Sequence, residues 1–255
     1  MQQTDTTGAA VTVRSTDIEI PRSVLAIGAH PDDIEFGCGA TVAKWAEAGA
    51  TVHFLILTDG SKGTWDVNAD IPALIARRST EAVAAARALG ATGEVINLGR
   101  VDGELDSSLV ERGEVAFHIR RLQPQIVLGH DPWKTYRLHP DHRHAGYLAV
   151  EGIVAARDPH FFKEHGIPHH RPEALLLFEA EAPNHLETVE DRHLEARVQA
   201  LLAHESQLET THYHRLDDPS TQAEGFRVRE RAVLAAMAEP FGEAIGEAFR
   251  LMDDL

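Results

Sequence analysis

The sequence predicts an α/β fold, a mostly parallel and Rossmann-like sheet flanked by helices, in a single domain whose C-terminal elements complete the pocket. Three observations carry this. Short apolar runs at 23–28, 51–58, 94–98 and 125–129 have the length and hydrophobicity of buried parallel strands. Stretches with helical spacing of apolar residues separate them, the alternation expected of βαβ units with right-handed crossovers. Two of the runs are followed by His- and Asp-rich segments, and open α/β sheets build their sites beyond the carboxyl ends of their strands.

Taken in order, residues 1–21 are rich in Thr and Gln and read as a flexible arm ending at Pro21, with the domain proper over 22–255. After strand 23–28, Val42, Trp45 and Ala46 recur at helical spacing and Gly49 reads as a stop. Strand 51–58 follows, then a helix over 72–89 closed by Gly90, a strand over 94–98, a helix over 107–122 and a strand over 125–129. A helix over 140–156 has Pro140 at its first position, where proline's fixed φ and missing N–H are tolerated. Beyond residue 157 the pattern weakens to a polar, His-rich loop over 159–172, a strand at 174–178, a helix over 190–204 and a helical region over 227–238. No internal repeat, low-complexity tract or linker divides the chain.

Composition narrows the function. A chain of 255 residues with 43% hydrophobic content buries a substantial core. No apolar run approaches the roughly 20 residues of a membrane helix, and the first residues lack a signal-peptide core. The single cysteine excludes an intrachain disulfide framework and points to a reducing cytoplasm. A formal charge of −16 argues against nucleic acid, which needs a basic patch. Most of the 16 histidines cannot be ligands: His160, His165, His169, His170, His212 and His214 read as surface residues. Cys38 reads as a small buried turn residue.

The chemistry concentrates in two clusters. Ala29-His30-Pro31-Asp32-Asp33, with Glu35, Gly37 and Gly39 after it, follows the first strand; His139-Pro140-Asp141-His142 comes after strand 125–129. Two His and one carboxylate, drawn from two such loops, make a three-ligand set that leaves a position open for water. Spacing alone does not choose between Asp32 and Asp33 as ligand, since neighbouring side chains on extended backbone point opposite ways. A competing structural reading makes an Asp the N-cap of the following helix; the second His cluster argues against it. Arg78 falls near the centre of the inward stripe of helix 72–89, where a charge needs a partner. It either pairs with Glu81 or is tied to a buried carboxylate such as Asp102, or it donates to sugar hydroxyls or a charged substituent of the substrate. Asp59 and Asp102 each precede glycine at a strand end, as turn residues or as substrate contacts. His130-Asp131-Pro132 reads as a rim loop or as support behind the ligands, Trp65 and Trp133 as rim aromatics that stack on a sugar or cap the core, and His144 as a supporting or surface residue. His204 reads as support for the site.

These clusters resemble those of the LmbE-like (PIG-L) zinc-dependent N-deacetylases, which act on N-acetylglucosamine linked to inositol or another small aglycone. The family's Ala-His-Pro-Asp-Asp stands at 29–33 and its His-Pro-Asp-His at 139–142. Leu57-Thr58-Asp59-Gly60, Arg78-x-x-Glu81, Asp102-Gly103 and Ala203-His204-x-Ser206-Gln207 agree in order, so the likeness runs from about 23 to 250. It implies Zn2+ held by His30, Asp33 and His142, with Asp32 as general base. It further implies His139 as an imidazolium donor to the oxyanion, with Asp141 orienting the ring and keeping it charged. Arg78, Asp59 and Asp102 become substrate contacts, a small-molecule amino-sugar conjugate the partner, and homo-oligomers occur among such relatives. Fe(II) suits the same donor set, so zinc rests on the resemblance. Two departures stand out: Ile34 where many members have a third acid, and Ser61-Lys62 where many carry a glutamate after Asp59-Gly60.

The expected activity is therefore acetate release from an N-acetylglucosaminyl conjugate. An amidase acting on a larger amide, such as a thiol S-conjugate, shares the mechanism. A non-catalytic sugar- or nucleotide-binding protein is disfavoured by the intact ligand set and base, and no Gly-x-Gly-x-x-Gly turn follows the first strand.

Overall fold

The computed structural model describes residues 14–212 and 219–255. Eight strands form one sheet: β1 (Ser15–Thr16), β2 (Ser23–Gly28), β3 (Thr51–Thr58), β4 (Val95–Arg100), β5 (Ile126–His130), β6 (Ala174–Phe178), β7 (His185–Thr188) and β8 (Gly246–Met252), in the order β1-β7-β8-β6-β5-β2-β3-β4. All pairings are parallel except those of β8, which runs antiparallel to both β6 and β7. From β2 the chain moves outward to β3 and β4, whereas β5 returns to the other side of β2. The crevice between β2 and β5 is thus the topological switch point at which such sheets bind ligands.

Among the described residues six long helices cover the sheet: α1 (Asp33–Glu47), α2 (Ile71–Ala88), α3 (Leu109–Leu122), α4 (Pro140–Arg157), α5 (Asp191–Leu202) and α6 (Pro219–Ala238). The period of 2 in each strand divides the core. Val24, Ala26, Phe54 and Ile56 face α1 and α2 with Trp45 and Leu89. Leu25, Ile27, Leu55 and Leu57 face α3 and α4 with Val115, Ile119, Leu148 and Ile153. Both faces being buried explains why the strands read as continuous apolar runs. Among the described residues no helix is long and apolar enough to cross a membrane.

The N-terminal half follows the sequence reading to within two residues at each element end. The C-terminal third adds β7 and β8, which the apolar pattern did not reveal. Residues 1–13 of the expected arm lie outside the described residues, but Ser15 and Thr16 pair with His185 and Leu186. The Asp17 carboxylate beyond them accepts from the Thr188 amide at 2.9 Å and from Lys44 at 2.5 Å.

Candidate active site

The first cluster occupies the turn between β2 and α1. Thr58, at the end of β3, pins it, its amide and hydroxyl both donating to the Ala29 carbonyl at 2.8 Å. Asp32 stands at the N-cap of α1, yet its side chain caps nothing and its backbone has φ 114°. A non-glycine residue there costs on the order of 1–3 kcal/mol. The Asp N-cap reading is thus overturned: the strained backbone frees the Asp32 carboxylate. One turn along, Gly37 lets the Phe178 ring approach so closely that a Cβ would lie 2.4 Å from it, which seats α1 on β6.

Asp33, the first residue of α1, is the hub. Its Oδ2 accepts from the His30 amide at 2.6 Å and lies 3.2 Å from His30 Nδ1, and its Oδ1 lies 3.2 Å from His142 Nε2. His30 Nε2 faces Asp141 at 3.1 Å and Asp102 at 3.2 Å. His139 meets the His30 ring edge-on at 4.6 Å and stacks on His142 at 5.0 Å. His30, His139 and His142 each offer a ligand atom within 4.8 Å of one another, as do Asp33, His130 and His142. Imidazoles gathered about a carboxylate suit a divalent metal ion of the zinc or iron type.

Electrostatics follow from burial and crowding. Burial pushes the Asp32 carboxyl up to about 6, with Arg78 pulling it down and Asp33 raising it further. Burial also works against an ionised Asp33, but His142, His30 and His130 hold it well below the usual carboxylate range. His30 is the converse: burial opposes its charge, and Asp33, Asp102 and Asp141 raise it well above an ordinary histidine.

The cluster opens into a cavity of about 700 Å³, lined also by Lys62, Thr64, Trp65, Arg78, Glu179 and, from the C-terminal third, Gln207, Thr210, Val233 and Met237. That size suits a small-molecule ligand, and the C-terminal elements complete its wall as expected.

A model of the PIG-L family, described as GlcNAc-PI de-N-acetylase, matches residues 25–153. The chain belongs to the PIG-L family. It is 37% identical over 189 residues to the diacetylchitobiose deacetylase of Thermococcus kodakarensis, covering 73% of this chain and 70% of that one. It is 34% identical over 170 residues to the 1D-myo-inositol 2-acetamido-2-deoxy-alpha-D-glucopyranoside deacetylase of Kineococcus radiotolerans, covering 54% of this chain and 46% of that one. The structure of N,N'-diacetylchitobiose deacetylase from Pyrococcus horikoshii superposes with a TM-score of 0.80 at 30% identity, over 91% of this chain and 84% of that one.

Within this PIG-L site several residues are used differently from the sequence expectation. Asp141 does not orient the His139 ring with its carboxylate. That group accepts from the amides of Gly103 at 2.6 Å and Leu105 at 3.2 Å, and it faces His30. The Asp141 amide instead donates to His139 Nδ1 at 3.3 Å. Burial, then His30 and His142, lowers the His139 pKa, and with Nδ1 accepting from that amide the ring's free donor is Nε2. Asp59 does not line the cavity; its Oδ1 accepts from the amides of Ser61 at 2.9 Å and Asp102 at 3.1 Å, joining two rim loops. Asp102 does line it, with Oδ2 accepting from the Lys62 amide at 3.1 Å.

Arg78 is 3% exposed, and the buried carboxylate it is tied to is Asp32 rather than Glu81 or Asp102. It donates to the carbonyls of Gly60 at 2.9 Å and Pro31 at 2.7 Å, and its Nη2 lies 3.7 Å from Asp32. Glu81 instead takes the Ser206 hydroxyl at 2.5 Å. His144 turns toward Ser107 at 3.3 Å, and Cys38 lies within α1 rather than in a turn, its thiol donating to the Ile34 carbonyl at 3.3 Å. Trp65 lines the cavity mouth, while Trp133 packs on Tyr147. His204 is fully buried, 3.2 Å from Glu35. His212, read as a surface residue, is also fully buried, between Phe36 and Phe226; His214 lies outside the described residues. Sequence reasoning left His130 on the rim or behind the ligands, and its burial, 1% exposed and touching Asp33, fits the second. It missed Glu179 and Arg137 altogether. The one available signal was that His130-Asp131-Pro132 ends a strand as His30-Pro31-Asp32 follows one.

Proposed function

We propose that this chain is a zinc-dependent N-deacetylase releasing acetate from an N-acetylglucosaminyl conjugate, a small-molecule partner met in the cytoplasm. The observation that carries the reading is Asp32, a buried carboxylate held off its helix by a strained backbone, beside the His30–Asp33–His142 cluster and facing the same cavity. His30, Asp33 and His142 would hold the ion. Zinc there supplies an acidified water and a Lewis acid for the acetamide oxygen. Asp32 accepts the proton of the attacking water and returns it to the departing amine. Arg78 keeps that carboxylate in place from 3.7 Å. His139, with Nδ1 occupied by the Asp141 amide, donates from Nε2 to the developing oxyanion. Asp102 and Lys62 line the cavity, which supports a role for them in meeting sugar hydroxyls.

The cavity's apolar wall of Phe36, Val233 and Met237 favours a second reading, in which the substrate carries a bulkier apolar acyl group or aglycone. Both are tested by acetate or acyl release from N-acetyl- and longer N-acyl-glucosaminyl conjugates, using metal-stripped and zinc-restored protein. Zinc-restored turnover on the acetyl compounds supports the first reading, and preference for the longer acyl chain supports the second. One zinc bound per chain with no turnover on any of them would sink both.

A further inference from the structure

His130 closes β5, is 1% exposed and does not line the cavity. Its ring stacks on His142 at 4.4 Å and meets the edge of Phe178 at 4.5 Å. Nδ1 lies 3.4 Å from Arg137 Nη1 and 3.4 Å from Glu179 Oε2, and the same Arg137 nitrogen also bonds Glu179. A guanidinium only donates and a carboxylate only accepts, so Nδ1 does not fix the tautomer; Nε2 carries a hydrogen toward the carboxylate it faces. There Asp33 Oδ2 lies at 3.3 Å; the Ala29 amide, at 3.5 Å, is at the limit of hydrogen-bond contact.

The two oxygens of Asp33 are therefore unequal. Oδ2 receives the His30 amide and the His130 ring and lies 3.2 Å from His30 Nδ1, while Oδ1 faces His142. We infer that His130 is a positioning residue of the metal site: its Nε2–H fixes one oxygen of Asp33 so that the other is presented to the ion, and Arg137 with Glu179 anchors the ring at Nδ1. Groups that orient a ligand in this way typically change metal affinity about 10–100-fold when removed. The inference rests on Asp33 being a metal ligand. A rival role exists on the same atoms, since Asp33, His130 and His142 also lie within 4.8 Å of one another and His130 would then bind the ion itself.

The test compares zinc affinity, by competition with a chromophoric chelator, and the visible spectrum of the cobalt-loaded protein across the full unmodified chain, His130→Gln, His130→Asn and Arg137→Met. A glutamine amide reaches the place of Nε2 and donates there; an asparagine amide reaches only the place of Nδ1. Asparagine should weaken zinc about 10–100-fold, while glutamine stays within about threefold and keeps the cobalt spectrum. Arg137→Met should fall between them; if the asparagine variant does not melt cooperatively without metal, the glutamine and Arg137 variants decide. Unmodified affinity in Arg137→Met and in every folded His130 variant overturns the inference. So does a glutamine variant that loses zinc as badly as asparagine and alters the cobalt spectrum, since that marks a ligand. An unmodified chain that binds no zinc removes the metal reading itself, and this inference with it.

Discussion

The turn after β2 and the loop after β3 sit side by side at the same cavity and are built in opposite ways. Residues 29–35 are buried throughout, and Asp33 and Asp32 are held by imidazoles, amides and a guanidinium. The loop after β3 leaves Trp65 77% exposed and Val67 95% exposed. Arg78 bridges the two, bonding Pro31 of the first and Gly60 of the second. The contrast separates the motif turn, whose carboxylates are over-determined by their neighbours, from the rim loop, whose side chains stand free to vary.

Four perturbations break or sharpen that contrast. The largest effect is expected from Asp32→Asn, which should lower acetate release by two to four orders of magnitude while zinc content by atomic absorption stays at the unmodified level. Arg78→Leu should destabilise by about 3–5 kcal/mol, because two buried carbonyls and Asp32 lose their partner; chemical denaturation reads this directly, and lysine should not restore a forked pair of bonds. On the buried side, His212 tests the same principle by pH. Burial depresses its pKa from 6.5 to about 4, so the unfolded chain takes up a proton that the fold refuses. Stability should be full above pH 6.5 and fall as the pH drops toward 4, by on the order of 3 kcal/mol. His212→Phe should flatten that acid limb in urea melts at a series of pH values. The smallest effect belongs to the exposed loop: Trp65→Ala should raise KM about three- to tenfold, with kcat and the melting temperature unchanged. A drop in kcat there would show that the loop is not as separate as its exposure indicates.

Much of this was legible in sequence because the chemistry is local. His30, Asp32 and Asp33 are contiguous with a strand end, and His139 to His142 open a helix behind Pro140, so motif and element coincide. β7 and β8 escaped because His185, Glu187 and Glu247 are buried and polar, which erases the apolar alternation that marks a strand. Their charges are matched by groups remote in sequence: Glu247 accepts from Arg197 at 2.6 Å and from the Thr41 amide at 2.7 Å. Most partners of Asp141, Asp59 and Arg78 were equally hidden, since the amides of Gly103, Leu105, Ser61 and Asp102 and the carbonyls of Gly60 and Pro31 carry no residue identity. Burial of His212 depends on α6 packing over it, which no local pattern encodes.

The backbone of Asp32 carries one more consequence. A φ of 114° is a conformation that glycine adopts without penalty and every other residue resists. Asp32→Gly should therefore melt higher than Asp32→Ala by the equivalent of about 1–2 kcal/mol, although neither can take a proton from water. At this position the most comfortable residue is an inactive one. Screens for thermostable variants without an activity readout will drift toward glycine at residue 32, and retention of aspartate there is the cheapest single indicator that a variant is still under selection for chemistry.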